Sequence, residues 1–282
     1  RAPMARPAPH GPADVVVPVH GKPRLVEACL DSVLSTLPDG SRVVVVDDGS
    51  EDPAIDALLV RFAADPRVQV IRLAHNRGFP AAANAGIAAC PGRDVVLLNS
   101  DTLVPPHWLE RLAAAVHAAP MIGSATPLSN DASILSYPAT TGRNPVPDLA
   151  ATRRLSALAA RANPDGAVDI PVGVGFCFYI RRACLDAVGG FRDDVFAQGY
   201  GEENDFCLRA RHLGWRHVAV TNVFVAHHSG ASFGGPGRHL QRRNQDLLER
   251  LHPGYGALIQ RFGAADPLAP ARRRLDVARW RA

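Results

Sequence analysis

Four short apolar runs, each followed by a helical pattern, constrain this chain more than any other feature. They are DVVVPV (14–19), RVVVV (42–46), VQVIRL (68–73) and DVVLL (94–98). Runs this short and this rich in β-branched residues predict strands covered on both faces. Between them, Leu25, Val26, Cys29, Leu30, Val33 and Leu34 repeat at helical spacing, as do Ile55, Leu58, Leu59 and Phe62. The run 81–89 is almost all alanine and glycine, which lets a helix lie close on a sheet. Pro105 and Pro106 open a fourth helical pattern carrying Trp108, Leu109, Leu112 and Val116. Strand and helix alternating in this way predict an α/β fold with a mostly parallel sheet. Open sheets of that kind hold ligands beyond the carboxyl ends of their strands. Polar residues collect there: Asp47-Asp48 after the second run and Asn99-Ser100-Asp101 after the fourth.

The rhythm then breaks. Residues 121–163, rich in Ser, Thr, Pro and Asn, read as a loop-rich excursion with one helix near 149–160. Residues 172–180 (VGVGFCFYI) read as a buried strand, 184–188 as a short helix and 216–227 as a further strand ending in His227-His228. A break at 234–237 precedes a basic helix over about 238–251 and an Arg-rich end.

The segment GYGEENDF (199–206) packs Glu202, Glu203 and Asp205 just after two glycines. It reads as the first turn of a helix, where carboxylates are favoured by the helix dipole and stay readily ionised. Asp101 and a strand-end histidine suit a divalent metal that also binds phosphate oxygens. The plain alternatives are an acidic first turn, a helix N-cap at Asp101 and two half-exposed histidines. Taken singly, each plain reading is the better one. Their joint occurrence in this order points to chemistry.

Composition narrows the classes. The chain has 282 residues, 47% hydrophobic and 21% charged, which is ordinary for a globular protein. No apolar run approaches a membrane span. Residues 1–12 lack the apolar core of a secretion signal and read as a flexible lead-in. The first residue is Arg1, not Met, which fits a trimmed chain or one domain of a longer protein. Five scattered cysteines without a C-x-x-C pair indicate neither a zinc site nor a disulfide framework, and a reducing cytoplasm is the simplest setting. Net charge is +4; from residue 238 onward ten Arg against four acids give +6, leaving −2 for the rest. Such a tail is either solvated or makes peripheral contact with an anionic membrane at the inner face. Gly173-x-Gly175 lacks the third glycine of a dinucleotide loop and is expected inside a strand, so it is no Rossmann fingerprint. There is no phosphate-loop motif, and Lys22 is the only lysine. No G-x-S-x-G marks a serine hydrolase.

Six segments in order resemble the family-2 glycosyltransferases of the GT-A fold: VVVPVHG (15–21), VVVVDDGS (43–50), NRGFPAAANAGI (76–87), VVLLNSDT (95–102), GYGEENDFCLRA (199–210) and VFVAHHSGASF (223–233). The later ones are most similar to bacterial enzymes that build surface polysaccharides, rhamnosyltransferases among them. The resemblance implies a transferase domain over 13–235 with a basic helical extension over 236–282. It implies an inverting enzyme that takes a UDP-, dTDP- or GDP-linked sugar, uses Mn²⁺ or Mg²⁺, serves a saccharide or lipid-linked acceptor and binds no nucleic acid. It places Pro18, Val19, Asp47, Asp48, Arg77, Gly78, Asn99 and Ser100 around the nucleotide. Asp101 and His227 become the metal ligands, with His228 as the fallback register. Glu203 becomes the catalytic base, with Glu202 in an orienting, ion-paired role beside Asp205 and Arg209. Two positions depart from the family pattern: Asn99 replaces the first acid of D-x-D, and Glu203 stands where Asp is usual. A nucleotidyltransferase and a non-catalytic sugar-nucleotide-binding module of a larger polymerase are the competing readings.

Overall fold

The computed structural model describes residues 11–140, 144–197, 199–228 and 237–282. The first half runs β1 (Asp14–Val19), α1 (Pro23–Leu34), β2 (Val43–Asp47), α2 (Pro53–Phe62), β3 (Val68–Arg72), α3 (Phe79–Ala88), β4 (Val95–Leu98), β5 (Thr102–Leu103) and α4 (Trp108–Val116). It continues with β6 (Ile122–Ser129), α5 (Leu149–Ala162), β7 (Ala167–Ile170), β8 (Cys177–Ile180), α6 (Arg182–Val188), α7 (Glu202–His212) and β9 (Arg216–His227). Three helices close the chain: α8 (Gly237–Leu251), α9 (Tyr255–Ala265) and α10 (Ala269–Trp280).

The strands form one sheet in the order β3-β2-β1-β4-β8-β6-β9-β5, with β7 added on β9. β3, β2, β1 and β4 are mutually parallel. β8 runs antiparallel between β4 and β6, so the second half of the sheet is mixed. Alternate residues of the apolar runs face opposite layers. Val15, Val17, Val19, Val43 and Val45 join one core with α1 and α4, and Val16, Val44 and Val46 join the other with α3 and α7. α3 lies so close that a Cβ on Gly86 would overlap Val16 and stand 3.2 Å from Val46 Cγ2.

Two expectations are corrected. Residues 122–129 are a fully buried strand rather than a loop, because the polar side chains of IGSATPLS find partners there. Ser124 Oγ lies 2.7 Å from His217 Nδ1, and Thr126 Oγ1 accepts from the Val174 amide at 3.4 Å. Only 177–180 of the run 172–180 is strand; Gly173 and Gly175 lie in the loop before it. β7 had no reading in the sequence. The closing helices are part of the same cores: Leu248 is buried with α7, and Leu268 and Leu275 are fully buried.

Candidate active site

The carboxyl ends of β1 and β2 are tied to the turn before α3. The Asp48 amide donates to Val19 O at 2.8 Å, and the Asp48 carboxylate accepts from the amides of Arg77 (2.7 Å) and Gly78 (2.8 Å). Asp47 accepts from the Ser50 amide at 3.0 Å. Pro18 is buried in the end of β1. His20 and Asn76, to which the sequence assigned nothing, complete the tie: His20 Nδ1 donates to Asp48 O at 3.0 Å, and the Asn76 amide lies 3.1 Å from His20 Nε2. Asp48 therefore shapes the cradle by holding backbone amides. The Arg77 guanidinium reaches 3.6 Å from Asp193.

The end of β4 meets the end of β9 through β5. Antiparallel pairing sets Thr102 opposite His227, and the His228 amide donates to Asp101 O at 2.9 Å. Successive strand side chains point to opposite faces, so His227 and not His228 meets the carboxylate: its Nε2 lies 3.4 Å from Asp101 Oδ1. The His227 ring stacks on Phe176 with centroids 5.2 Å apart. Its Nδ1 is 2.9 Å from Asp131 O, so Nδ1 carries the proton and Nε2 presents its lone pair. The Asn99 amide reaches that Nε2 at 3.3 Å, and Asn99 supplies no charge of its own. Asp101 caps no helix; His107 stands at the N-cap of α4. Ser100 follows Asn99 in this turn.

Asp101 Oδ1 is buried without a hydrogen-bond partner among the described residues. Two lone-pair atoms thus face each other across 3.4 Å with a cation's place between them. That arrangement fits a divalent metal, and without one it favours a proton: burial alone would lower the His227 pKa, and the Asp101 carboxylate more than offsets this. The donor set is small. No group of three or more His, Cys, Asp or Glu that could hold a metal occurs among the described residues. Mg²⁺ is commonly held in just this way, by one or two carboxylates and the phosphates of a substrate.

Lys22 is a further residue the sequence left without a role. It sits at the N-cap of α1 in the left-handed region, φ 57°. Its ammonium is shielded and bonds to none of the described residues. Burial lowers its pKa, and the charge of Asp101 partly opposes that. The signal in the sequence was its being the only lysine in an Arg-rich chain.

α7 starts at a sharp turn in which Gly199, Tyr200 and Gly201 all have positive φ (89°, 64° and 122°). Glu202 is 5% exposed and Glu203 half-buried, and each has an Oε2 without a partner. The expectation of readily ionised carboxylates is overturned. Burial pushes both up; Glu203's charge pushes Glu202 further, while backbone amides of Gly201, Gly175 and Asn204 favour the ionised form of Glu203. Glu202 also stands outside the ion-paired set: Asp205 alone binds Arg192, Arg209 (2.8 Å) and His252 Nε2 (2.8 Å). α8 braces the turn through Asn244, which donates to Gly199 O at 2.8 Å, and through Leu248 against Gly201. Glu203 opens into a cavity of about 90 Å³, lined also by Ser133, Val174, Asn204, Tyr255 and Ile259. The loop 173–176 is the wall common to both clusters. Gly175 lies against Glu203, while Phe176 stacks on His227 and accepts from the Asn99 amide at 2.9 Å.

The sequence model described as Glycosyl transferase family 2 matches residues 14–189. The chain belongs to glycosyl transferase family 2. Over 277 residues it is 28% identical to the pre-mycofactocin glycosyltransferase of Mycobacterium tuberculosis, covering 92% of this chain and 54% of that protein. It is 26% identical over 231 residues to the O-antigen biosynthesis protein RfbC of Myxococcus xanthus, covering 77% of this chain and 17% of that one. The chain thus spans about half, or less, of the length of these family-2 relatives. The fold is that of GT-A glycosyltransferases. It matches a mannosyltransferase from Pyrobaculum calidifontis in complex with GDP-Man and Mn²⁺ at TM-score 0.61 and 22% identity, covering 96% of this chain and 75% of that one. GalNAc-T7 with UDP, GalNAc and Mn²⁺ matches at TM-score 0.61 and 18% identity, covering 77% of this chain and 43% of that one.

Proposed function

We propose that this chain is an inverting, metal-dependent glycosyltransferase that moves a sugar from a nucleoside diphosphate donor to a hydroxyl of a saccharide or lipid-linked acceptor. The observation that carries the reading is the pair of clusters on one wall, Glu203 on one side of the loop 173–176 and Asp101 with His227 on the other. The nucleotide lies in the cradle formed by Pro18, Val19, Asp47, Asp48, Arg77 and Gly78. Asp101 and His227 hold Mn²⁺ or Mg²⁺, which when bound supplies positive charge against the departing diphosphate. Lys22, whose ammonium bonds to none of the described residues, adds its charge on the same side. Glu203 takes the proton of the acceptor hydroxyl as that oxygen bonds to the anomeric carbon and the bond from that carbon to the phosphate oxygen breaks. Attack opposite to the leaving group inverts the configuration. Backbone amides of Gly201, Gly175 and Asn204 favour the Glu203 carboxylate, and its raised pKa makes it a stronger base than a solvated carboxylate. The 13–235 segment carries all these groups. The relative named for O-antigen biosynthesis supports a surface-polysaccharide setting.

Incubation with UDP-, dTDP- and GDP-sugars and Mn²⁺ tests the proposal. Released nucleoside diphosphate, and an inverted anomeric centre in the transfer product, are the expected results. Pyrophosphate release would make it a nucleotidyltransferase, and no turnover with any donor would leave a binding module.

A further inference from the structure

We propose that the groove between α5 and α10 docks this protein on an anionic phospholipid surface. The two helices are fastened at one end by Asn163, which donates to Ala271 O at 3.3 Å and accepts from Arg274 Nε at 2.8 Å. Leu275 and Ala159 are buried between them. Above that seam lies a groove of about 680 Å³, floored by Leu158, Pro270 and Val277 and edged by Arg161, Arg273 and Arg281. The guanidinium groups of these three arginines make no hydrogen bond or ion pair with any described residue. Residues 149–162 and 269–282 together contain eight Arg and one acid, Asp276. That acid already accepts from the Tyr137 hydroxyl at 2.6 Å. Beside the groove, Trp280 is 87% exposed and Val277 48%.

An apolar floor, a cationic rim and an indole at the edge match the boundary between lipid headgroups and acyl chains. Arginine stems lie on apolar surface there while their heads meet phosphate, and Trp sits at headgroup depth. A soluble phosphate would use the charge and leave Val277 and Trp280 in water. The structure also narrows the source of the charge. The basic tail read from the sequence is divided, because α8 turns Asn244 and Leu248 to the turn before α7, whereas the groove takes its charge from Arg161 of α5, Arg273 of α10 and Arg281 just after it.

The test is sedimentation of the whole chain with phosphatidylcholine vesicles, with and without phosphatidylglycerol, at low and high salt. Binding is expected only with phosphatidylglycerol, weakening as salt rises, with a blue shift of tryptophan emission that is lost in Trp280→Phe. Each basic residue near an anionic surface contributes roughly fivefold. The triple variant R161E/R273E/R281E is therefore expected to bind on the order of a hundredfold more weakly, with its thermal melt unchanged. The variant R242E/R243E/R250E alters exposed arginines of α8 and is expected to keep most of the binding. Equal loss in both triples, absence of binding at low salt, or competition by soluble glycerol phosphate at matched ionic strength would each overturn the proposal.

Discussion

At the ends of β1 and β2 the polar groups are met by backbone. Asp48 holds two amides of the next turn, and Asp47 a third. At the start of α7 they are left over: Glu202 and Glu203 each keep an unpartnered oxygen, and side chains from distant elements brace the turn. Asn244 and His252 come from the last quarter of the chain, and Arg192 from the loop before α7. The first region is held together by backbone amides at the ends of neighbouring parallel strands. The second holds buried carboxyls at raised pKa only because the rest of the molecule closes over it, as expected where chemistry needs a shifted group.

The comparison can be broken at several points. The largest effect is expected from chelation, which should take transfer to background with Mn²⁺ or Mg²⁺ restoring it; full turnover in excess chelator removes Asp101 and His227 from their roles. Next, Glu203→Gln is expected to lower kcat roughly 10²–10⁴-fold, the usual worth of a general base, with little change in donor affinity. If Glu202→Gln is the more severe variant, the two roles are exchanged. Asp205→Ala leaves the guanidinium groups of Arg192 and Arg209 and the His252 ring around an empty site and should cost about 3–5 kcal/mol of unfolding free energy, read by denaturant titration. Asp48→Ala orphans two amides, at about 1–3 kcal/mol, and should weaken nucleoside diphosphate binding in calorimetry. An Asp205 loss no larger than that of Asp48 would erase the contrast between the regions.

The smallest effect is on pH dependence. Because the base must be ionised, kcat should rise with pH through a limb above the ordinary carboxylate range. Stability should move the other way. Above the ordinary carboxylate pKa the folded chain keeps protons on Glu202 and Glu203 that the unfolded chain has released. Unfolding free energy therefore falls as pH rises from there through the folded pKa values. Glu202→Gln should flatten that slope in denaturant titrations; an unchanged slope would mean the pair is solvated.

The first region was readable because its signals are local. β1, β2 and β4 are continuous apolar runs, and their polar ends follow at once in the chain. The register of β9 was also read, and placed His227 at the strand end. Residues 122–129 were not, since Ser124 and Thr126 look like loop residues until His217 and the 173–176 loop supply their partners. The ionisation of Glu202 and Glu203 was misread for the same reason. A helix dipole is visible in sequence, whereas burial beneath elements forty or more residues away is not. Lys22 directly follows the segment VVVPVHG, yet only the geometry set its ammonium, bonded to none of the described residues, near Asp101.

Gly86 has a reach that its position in the core conceals. α3 behaves as a rigid rod, seated at residue 86 in the side chains of Val16 and Val46 and beginning just after Gly78, whose amide Asp48 holds. The span between those points is ~12 Å at 1.5 Å per residue. Any side chain at 86 would lift the rod and shift the cradle at its other end. The shape of the cradle is thus partly set by a residue buried against the sheet, and variation there can reshape the proposed donor site as surely as variation at the rim.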